Sequence, residues 1–271
     1  MPVTIATPAL PDEAPEHYLA RLGTVFARFD RQDSGNVSYG VVVDGERHFV
    51  KTAGHPDHAP FLDHAQRVGL LRNAVRLARA YRHPALPALH TVVESAHGPM
   101  LVYDWADGEL VGVPREQRDD PASAYHRFRS LPADRVLAVL DTVFDVHDLL
   151  GRNGEVAGDF YDGCLIYDFT TRDVAVIDLD TYRPGPYRND MGRMFGSSRF
   201  MAPEEFTLGA LIDQRTSVFT MGRTARVFLG DHLPGPLNGV VTRACRPDPA
   251  DRHASLPEFC AAWHDARSHL G

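Results

Sequence analysis

Apolar and polar residues alternate in short runs through the first third of the chain. Five β-prone runs are predicted as strands: Val25–Asp30, Val37–Val43, His48–Thr52, Ala88–Glu94 and Met100–Asp104. Asp44-Gly45 separates the second run from the third and is a typical two-residue hairpin turn. Residues 60–81 carry apolar side chains at helical spacing and stop before Pro84. This part of the chain is therefore predicted to form a five-stranded antiparallel sheet with one helix.

The remaining two thirds are dominated by helical periodicity, so the fold class predicted is α+β. Three helices are predicted: Pro132–Asn153, Thr216–Leu229 and Leu256–Ala266. The segments 112–130 and 183–200 are polar and predicted as loops, the second of a kind that moves. Residues 1–15 are rich in Pro and Ala and are predicted to form a loose arm.

One stretch, 157–180, combines a predicted hairpin with two acidic residues. Its strands are Cys164–Tyr167 and Val174–Ile177, with Asp159 before the first and Asp178 after the second. A hairpin brings its outer ends together, so both carboxylates can face one cleft. One carboxylate could accept a proton or orient a hydroxyl while the other holds a divalent metal. The alternative is two surface aspartates that cap turns.

Two further features in the first third could bind an anion. Lys51 ends a predicted strand, where a lysine is costly unless an anion meets it; the alternative is an edge lysine that reaches solvent. The turn around Ser34, Gly35 and Asn36, within 33–40, could cover a phosphate with backbone N–H groups. A Walker-type phosphate loop is excluded because no Gly-Lys-Ser/Thr follows a glycine-rich segment.

Composition narrows the class of protein. The 271 residues carry a formal net charge of −8 and are 44% hydrophobic, as in an ordinary soluble globular protein. A chain-wide cationic surface for nucleic acid or anionic lipid is not expected, although a local basic groove is compatible with this charge. The N-terminus does not resemble a signal peptide, and no apolar run is long enough to span a membrane. Three cysteines without metal-ligand spacing indicate a reducing compartment, and we expect a cytoplasmic protein.

The order of these motifs resembles the protein-kinase-like superfamily from about residue 23 to the end. The matching segments are 49–51, His83-Pro84, 101–105, 158–165, 178–180, 196–204 and 247–252. The resemblance implies an arm at 1–22, an N-lobe at 23–104, a hinge at 105–108 and a mostly helical C-lobe at 109–271.

The resemblance also implies transfer of the γ-phosphate of ATP to a hydroxyl group, with Mg²⁺ as a cofactor. Asp159 would orient the acceptor and take its proton, while Asp178 would hold the metal. Nucleotide contacts would come from Lys51, Ser34, Gly35, Asn36, Tyr103, Asp104 and Trp105, with Tyr103 as gatekeeper. Glu204 and Arg252 would form a buried structural ion pair.

Several positions depart from the protein-kinase pattern. Ala157-Gly158 stands where the pattern has His-Arg, Tyr161 where it has Lys and Cys164 where it has Asn. Ala74 replaces the expected Glu, and Ser217 replaces the expected Asp. Asp162 is a substitute metal ligand, since a thiol suits Mg²⁺ poorly. The segment Gly-Asp-Phe-Tyr-Asp-Gly is more similar to the catalytic loop of aminoglycoside- and choline-type kinases. The segment 230–237 is too short to form the helix that many protein substrates contact in protein kinases. A Ser/Thr protein-kinase-like enzyme is favoured; a small-molecule hydroxyl kinase and a nucleotide-binding pseudokinase are the alternatives.

Overall fold

The computed structural model describes residues 13–30, 34–55, 57 and 62–270, and it has an α+β fold. The chain divides into two compact units, Met1–Ala106 and Asp107–Gly271. The boundary at residue 106 lies inside the segment 105–108 that the sequence suggested as a hinge. Each unit is described by itself below.

The first unit is built on a five-stranded antiparallel sheet in the order β1-β2-β3-β5-β4. The strands are β1 Thr24–Phe29, β2 Val37–Val43, β3 Glu46–Thr52, β4 Leu89–Ser95 and β5 Gly98–Asp104. The prediction of this sheet is confirmed, with boundaries that differ by a few residues. Asp44 and Gly45 have φ values of 52° and 84°, as a two-residue hairpin turn requires.

Helices cover both faces of this sheet. Helix α1, Pro15–Leu22, places Tyr18 and Leu19 in one apolar cluster with Val50 and Met100. Helix α2, His64–Ala80, packs against Leu101, which alternates with Met100 and so points to the other face.

Two predictions for this unit need correction. The arm was predicted to extend to residue 22. In the structure α1 begins at Pro15, because proline is favoured in the first turn of a helix. The described part of this unit therefore has two helices where one was predicted. Residues 1–12 of that arm, and residues 60 and 61 of the predicted helix 60–81, lie outside the described residues.

The second unit is mostly helical, as predicted. Its helices are α3 Ala124–Arg129, α4 Ala133–Arg152, α5 Gln214–Leu229, α6 Gly235–Ala244 and α7 Leu256–Ser268. The loop prediction for 112–130 was wrong at α3, where Tyr125 and Phe128 are buried at helical spacing. In the core, the Phe144 ring of α4 contacts the Phe259 and Trp263 rings of α7 edge to face. Between α5 and α6 there is only a short 3₁₀ turn at Gly230–His232.

Small sheets tie the polar segments of this unit to the helices. The strands are β6 Glu109–Leu110, β7 Glu155–Val156, β8 Leu165–Tyr167, β9 Val174–Val176, β10 Arg183–Pro184, β11 Tyr187–Arg188 and β12 Leu211–Ile212. They form sheets in the orders β6-β8-β9, β10-β7 and β11-β12. The segment 183–200, predicted as one loop, is thus anchored twice by backbone ladders near its start. None of the helices in the described ranges has the length and apolar character needed to cross a membrane.

Candidate functional site

Asp159 and Asp178 stand at the two outer ends of the β8–β9 hairpin. Leu165 pairs with Val176, and the Ile177 N–H donates to the Cys164 carbonyl at 2.9 Å, which extends the ladder toward both aspartates. Asp159 and Asp178 have φ values of 41° and 63°, in the left-handed region that residues other than glycine seldom occupy. Such backbone costs free energy, and it occurs in turns, as at Asp44, and at functional sites. The hairpin therefore holds both aspartates in an unusual backbone conformation.

Both carboxylates lie near a single buried thiol. Burial raises the pKa of Cys164 well above its ordinary value, and the negative charges of Asp178 and Asp159 raise it further. The thiol donates a 3.4 Å hydrogen bond to the Asp159 carbonyl. The same two carboxylates also raise the pKa of Tyr161, after the larger effect of burial. The second unit thus brings Asp159 and Asp178 together around a protonated sulfur, which is a poor ligand for a hard metal ion.

Asp162, the suggested substitute ligand, is already engaged. Its side chain is 2% exposed and forms an ion pair with the Arg199 guanidinium. Arg199 also donates to the Tyr125 hydroxyl at 3.3 Å. Metal binding by Asp162 would require this pair to open. Across the described part of the chain, no three His, Cys, Asp or Glu side chains are grouped as a ready-made metal site.

A small cavity of about 10 Å³ lies beside Asp159. Its lining residues are Asp159, Phe160, Gly196, Ser197, Phe200, Met201, Glu205 and Thr220. Glu205 is buried, and desolvation raises its pKa to about 7 although the Ala202 N–H donates to its Oε2 at 2.6 Å. Sequence reasoning missed Glu205, because it follows the matching residue Glu204 and no local pattern marks it.

Some departures from the kinase pattern have a local structural reason. A Cβ at Gly158 would lie 2.8 Å from the Thr181 carbonyl oxygen, so this backbone leaves no room for an arginine. Ser217 accepts a hydrogen bond of 2.8 Å from the Ala157 N–H, and so α5 supports the loop that carries Asp159. His147 of α4 accepts a hydrogen bond from the Tyr182 hydroxyl at 2.8 Å and holds the segment after Asp178.

The ion pair expected between Glu204 and Arg252 is present. Two nitrogen–oxygen contacts of 2.6 and 2.9 Å join them, and the Arg252 side chain has no exposed surface. The Thr216 hydroxyl also donates to Glu204 at 2.8 Å. This pair connects the segment after residue 196 with the start of α5 and the turn before α7.

In the first unit, Lys51 is buried in β3. It lies opposite Ser38 on β2 and Leu101 on β5, and paired residues share one face of a sheet. Only 7% of Lys51 is exposed. The buried Ser38 hydroxyl has no hydrogen-bond partner among the described residues. Lys51 and Ser38 therefore place a cation and a hydroxyl side by side on the α2 face of the sheet.

The predicted phosphate-covering turn is described from Ser34 onward, and Asp33 lies outside the described residues. Gly35 has a φ of 83°, and its carbonyl accepts a 3.3 Å hydrogen bond from Arg67 of α2. Arg67 is fully buried, also donates to the His55 carbonyl and was missed by the sequence analysis. Asn36 is 1% exposed, and its side-chain oxygen has no partner in the described ranges.

The three residues of the predicted hinge strand have different surroundings. Tyr103 packs on the apolar cluster under α2. Asp104 contacts His90 at 2.5 Å between Oδ1 and Nε2. Trp105 contacts the rings of Phe26 and Phe29. The structure thus places Tyr103 and Trp105 in aromatic or apolar surroundings and Asp104 in a polar pair.

Comparison with known proteins gives no family for this chain: no family model matches it, and no curated protein matches it.

Proposed function

We propose that this protein is an ATP-dependent phosphotransferase of the protein-kinase-like fold, which transfers the γ-phosphoryl group to a hydroxyl in the manner of Ser/Thr protein kinases. The observation that carries the proposal is the pairing of Asp159 and Asp178. Both have left-handed φ values at the two ends of one hairpin, and both act electrostatically on Cys164. Strained backbone and clustered carboxylates are more typical of a catalytic site than of surface turns.

In this proposal each residue performs one task of phosphoryl transfer, which depends on positioning and on neutralising charge. Asp159 accepts a hydrogen bond from the acceptor hydroxyl and orients its oxygen. It takes the hydroxyl proton as the new bond to the γ-phosphorus forms and the bond from that phosphorus to the oxygen of the leaving ADP breaks. Lys51 supplies a positive charge for the nucleotide phosphates. Glu204 and Arg252 hold the segment after residue 196 in place.

The residues suit a magnesium ion that has few protein ligands. When bound, Mg²⁺ neutralises phosphate charge and orients the transferring group. Mg²⁺ in such sites is held by one or two carboxylates together with substrate phosphates and water. Asp178 is exposed, lies two residues after the end of β9 and supplies oxygen ligands. Asp178 is therefore the ligand we favour, since Asp162 is paired with Arg199 and the Cys164 thiol keeps its proton.

A small-molecule acceptor is the second candidate, and a specific feature favours it. Only the 3₁₀ turn at Gly230–His232 separates α5 from α6, so the segment lacks a helix that could contact a protein substrate. A nucleotide-binding pseudokinase is the third candidate, because Cys164 replaces a metal-binding asparagine in the kinase pattern.

The test is a transfer assay with γ-labelled ATP and Mg²⁺. The acceptors are the protein itself, a generic protein substrate and a panel of hydroxylated small molecules. We expect Asp159→Asn to lower transfer at least a hundredfold, because the amide cannot take the proton, while ATP affinity changes less than threefold. The matched control is Asp173→Asn, which removes an exposed carboxylate from the same hairpin. We expect the control to keep full activity.

The outcomes separate the candidates. Label on protein favours a protein kinase, and label only on a small molecule favours the second candidate. A melting temperature raised by Mg-ATP without any transfer favours a pseudokinase. Unchanged transfer by Asp159→Asn would remove this residue from the chemistry and refute the assignment.

A further inference from the structure

A group of three arginines surrounds one buried tyrosine in the second unit. The guanidinium carbons of Arg118, Arg129 and Arg199 lie 6.0, 5.7 and 5.5 Å from the centroid of the Tyr125 ring. Arg118 follows a 3₁₀ turn at Arg115–Gln117, Arg129 ends α3 and Arg199 lies in the segment before Ala202, so distant parts of the sequence contribute them. We call these four residues the arginine cluster.

The cluster has more positive charge than its neighbours compensate. Asp162 pairs with Arg199, whereas neither Arg118 nor Arg129 has an ion pair or side-chain hydrogen bond with any residue that the structure describes. Like charges gathered around one ring repel each other, and a bound anion would reduce this repulsion. A cation–π contact with Tyr125 contributes about 1–2 kcal/mol and does not neutralise the charge.

Hydrogen bonding also indicates a missing acceptor. The Nε atoms of Arg118 and Arg199 are both buried, and neither has a hydrogen-bond partner within the described ranges. A buried donor without an acceptor costs about 1–3 kcal/mol. Both donors belong to guanidinium groups around the same tyrosine ring, and an oxyanion bound beside this ring would supply an acceptor that they lack.

We propose that the arginine cluster binds a phosphate group. Guanidinium groups match phosphate because their planar N–H pairs can donate to two oxygens at once. A phosphate dianion would balance the charges of Arg118 and Arg129, which Asp162 leaves uncompensated. The net charge of −8 does not oppose such a site, since the positive charge is local.

The position of the cluster connects it with the acceptor of the proposed reaction. Asp162 begins the 3₁₀ turn three residues after Asp159. Arg199 follows Gly196 and Ser197, which line the cavity beside Asp159. The phosphate would accordingly be carried by the phosphoryl acceptor. This last step rests on the proposed function, whereas the binding of phosphate by the cluster does not.

The experiment is calorimetric titration of the full chain with inorganic phosphate, at low ionic strength and without nucleotide. We expect Arg118→Gln and Arg129→Gln each to weaken the binding of phosphate at least fivefold. Arg115→Gln is the matched control, because this exposed arginine precedes Arg118 by three residues and lies outside the cluster. The control should bind within twofold of the parent, and equal melting temperatures will show that all four proteins are folded.

Two results would overturn the proposal: no measurable phosphate binding, or an equal loss in all three variants, which would indicate a diffuse charge effect. Titrations with O-phosphoserine and glycerol 3-phosphate then identify the source of the phosphate. Tighter binding of the first supports a phosphorylated protein, and tighter binding of the second supports a phosphorylated small molecule. Absence of ATP-dependent transfer would refute the proposed function and leave these titrations interpretable.

Discussion

At the scale of single residues, the Arg252 guanidinium is buried with all five of its N–H groups used. Two reach the carboxylate of Glu204, and three reach the carbonyls of Arg215, Arg246 and Pro247. Five is the full donor capacity of an arginine side chain. The charge is tolerated inside the protein because Glu204 balances it, so removal of Glu204 would leave a buried and uncompensated cation.

We therefore expect Glu204→Ala to lower the free energy of unfolding by about 3–5 kcal/mol, the usual cost of breaking a buried pair. Glu109→Ala is the matched control, because it breaks an ion pair with Arg127 in which both side chains are at least 39% exposed. That change should cost about 1 kcal/mol or less. Urea denaturation of the parent and both variants measures the difference. Equal losses in the two variants would contradict a special role for burial.

The sequence could predict only some of these residue contacts. The pair of Glu204 and Arg252 was expected because both residues stand in motifs that the chain shares with a known superfamily. The contact between Arg199 and Asp162 was not predictable, because the two are 37 residues apart and neither stands in a periodic pattern. The chemistry of Asp159 and Asp178 could be suggested from a hairpin, but their left-handed backbone depends on tertiary packing.

At the scale of elements, alternating and helical patterns located most strands and long helices within a few residues. The three described helices that sequence analysis missed are short. Helix α1 has eight residues, α3 has six and α6 has ten, so each offers few turns for a periodic signal. Buried side chains hold them: Tyr18 in α1, Tyr125 and Phe128 in α3, and Leu237 and Val241 in α6. Tertiary burial stabilises them, and this contribution cannot be derived from local propensity.

The turn between β2 and β3 supports a prediction about backbone conformation alone. Gly45 has a φ of 84°, and a Cβ at this position would meet no atom within 4 Å. Gly45→Ala should therefore destabilise the protein by about 1–2 kcal/mol, the cost of a left-handed conformation. Gly239→Ala is the opposite control: it lies inside α6, its Cβ also meets no atom, and alanine favours a helix by about 1 kcal/mol.

Thermal unfolding followed by circular dichroism measures both glycine variants. We expect the melting temperature to fall in Gly45→Ala and to rise slightly in Gly239→Ala. Changes of the same sign in both variants would show that steric contacts of the added methyl group, and not backbone conformation, determine the effect at one of the two positions.

At the scale of the whole molecule, two buried titratable groups act on stability in opposite directions. Burial lowers the pKa of His147 to about 4, and the histidine is held neutral between the Val143 carbonyl and the Tyr182 hydroxyl. Burial also raises the pKa of Glu205 to about 7. Both residues belong to the second unit. With ordinary pKa values, a calculation for pH 5–6 would assign a proton to His147 that the folded protein lacks, and would remove a proton from Glu205 that the folded protein keeps.

The direction of each effect follows from where the protons bind. Between pH 4 and 6.5 the unfolded chain protonates His147 and the folded protein does not, so the free energy of unfolding rises with pH. Between pH 4.5 and 7 the folded protein keeps the Glu205 proton that the unfolded chain has lost, so the same quantity falls with pH. The two contributions largely cancel between pH 4.5 and 6.5.

We therefore expect Glu205→Gln to expose the contribution of His147. Relative to the parent, this variant should gain stability from pH 4.5 to 7 by on the order of 3 kcal/mol, since one pKa unit corresponds to about 1.4 kcal/mol. His147→Gln should show the reverse trend, a relative loss from pH 4 to 6.5. Urea denaturation at several pH values between 4 and 8 tests this. The exposed groups titrate equally in all three proteins, so their contributions disappear from the differences, and curves that stay parallel would refute both assignments.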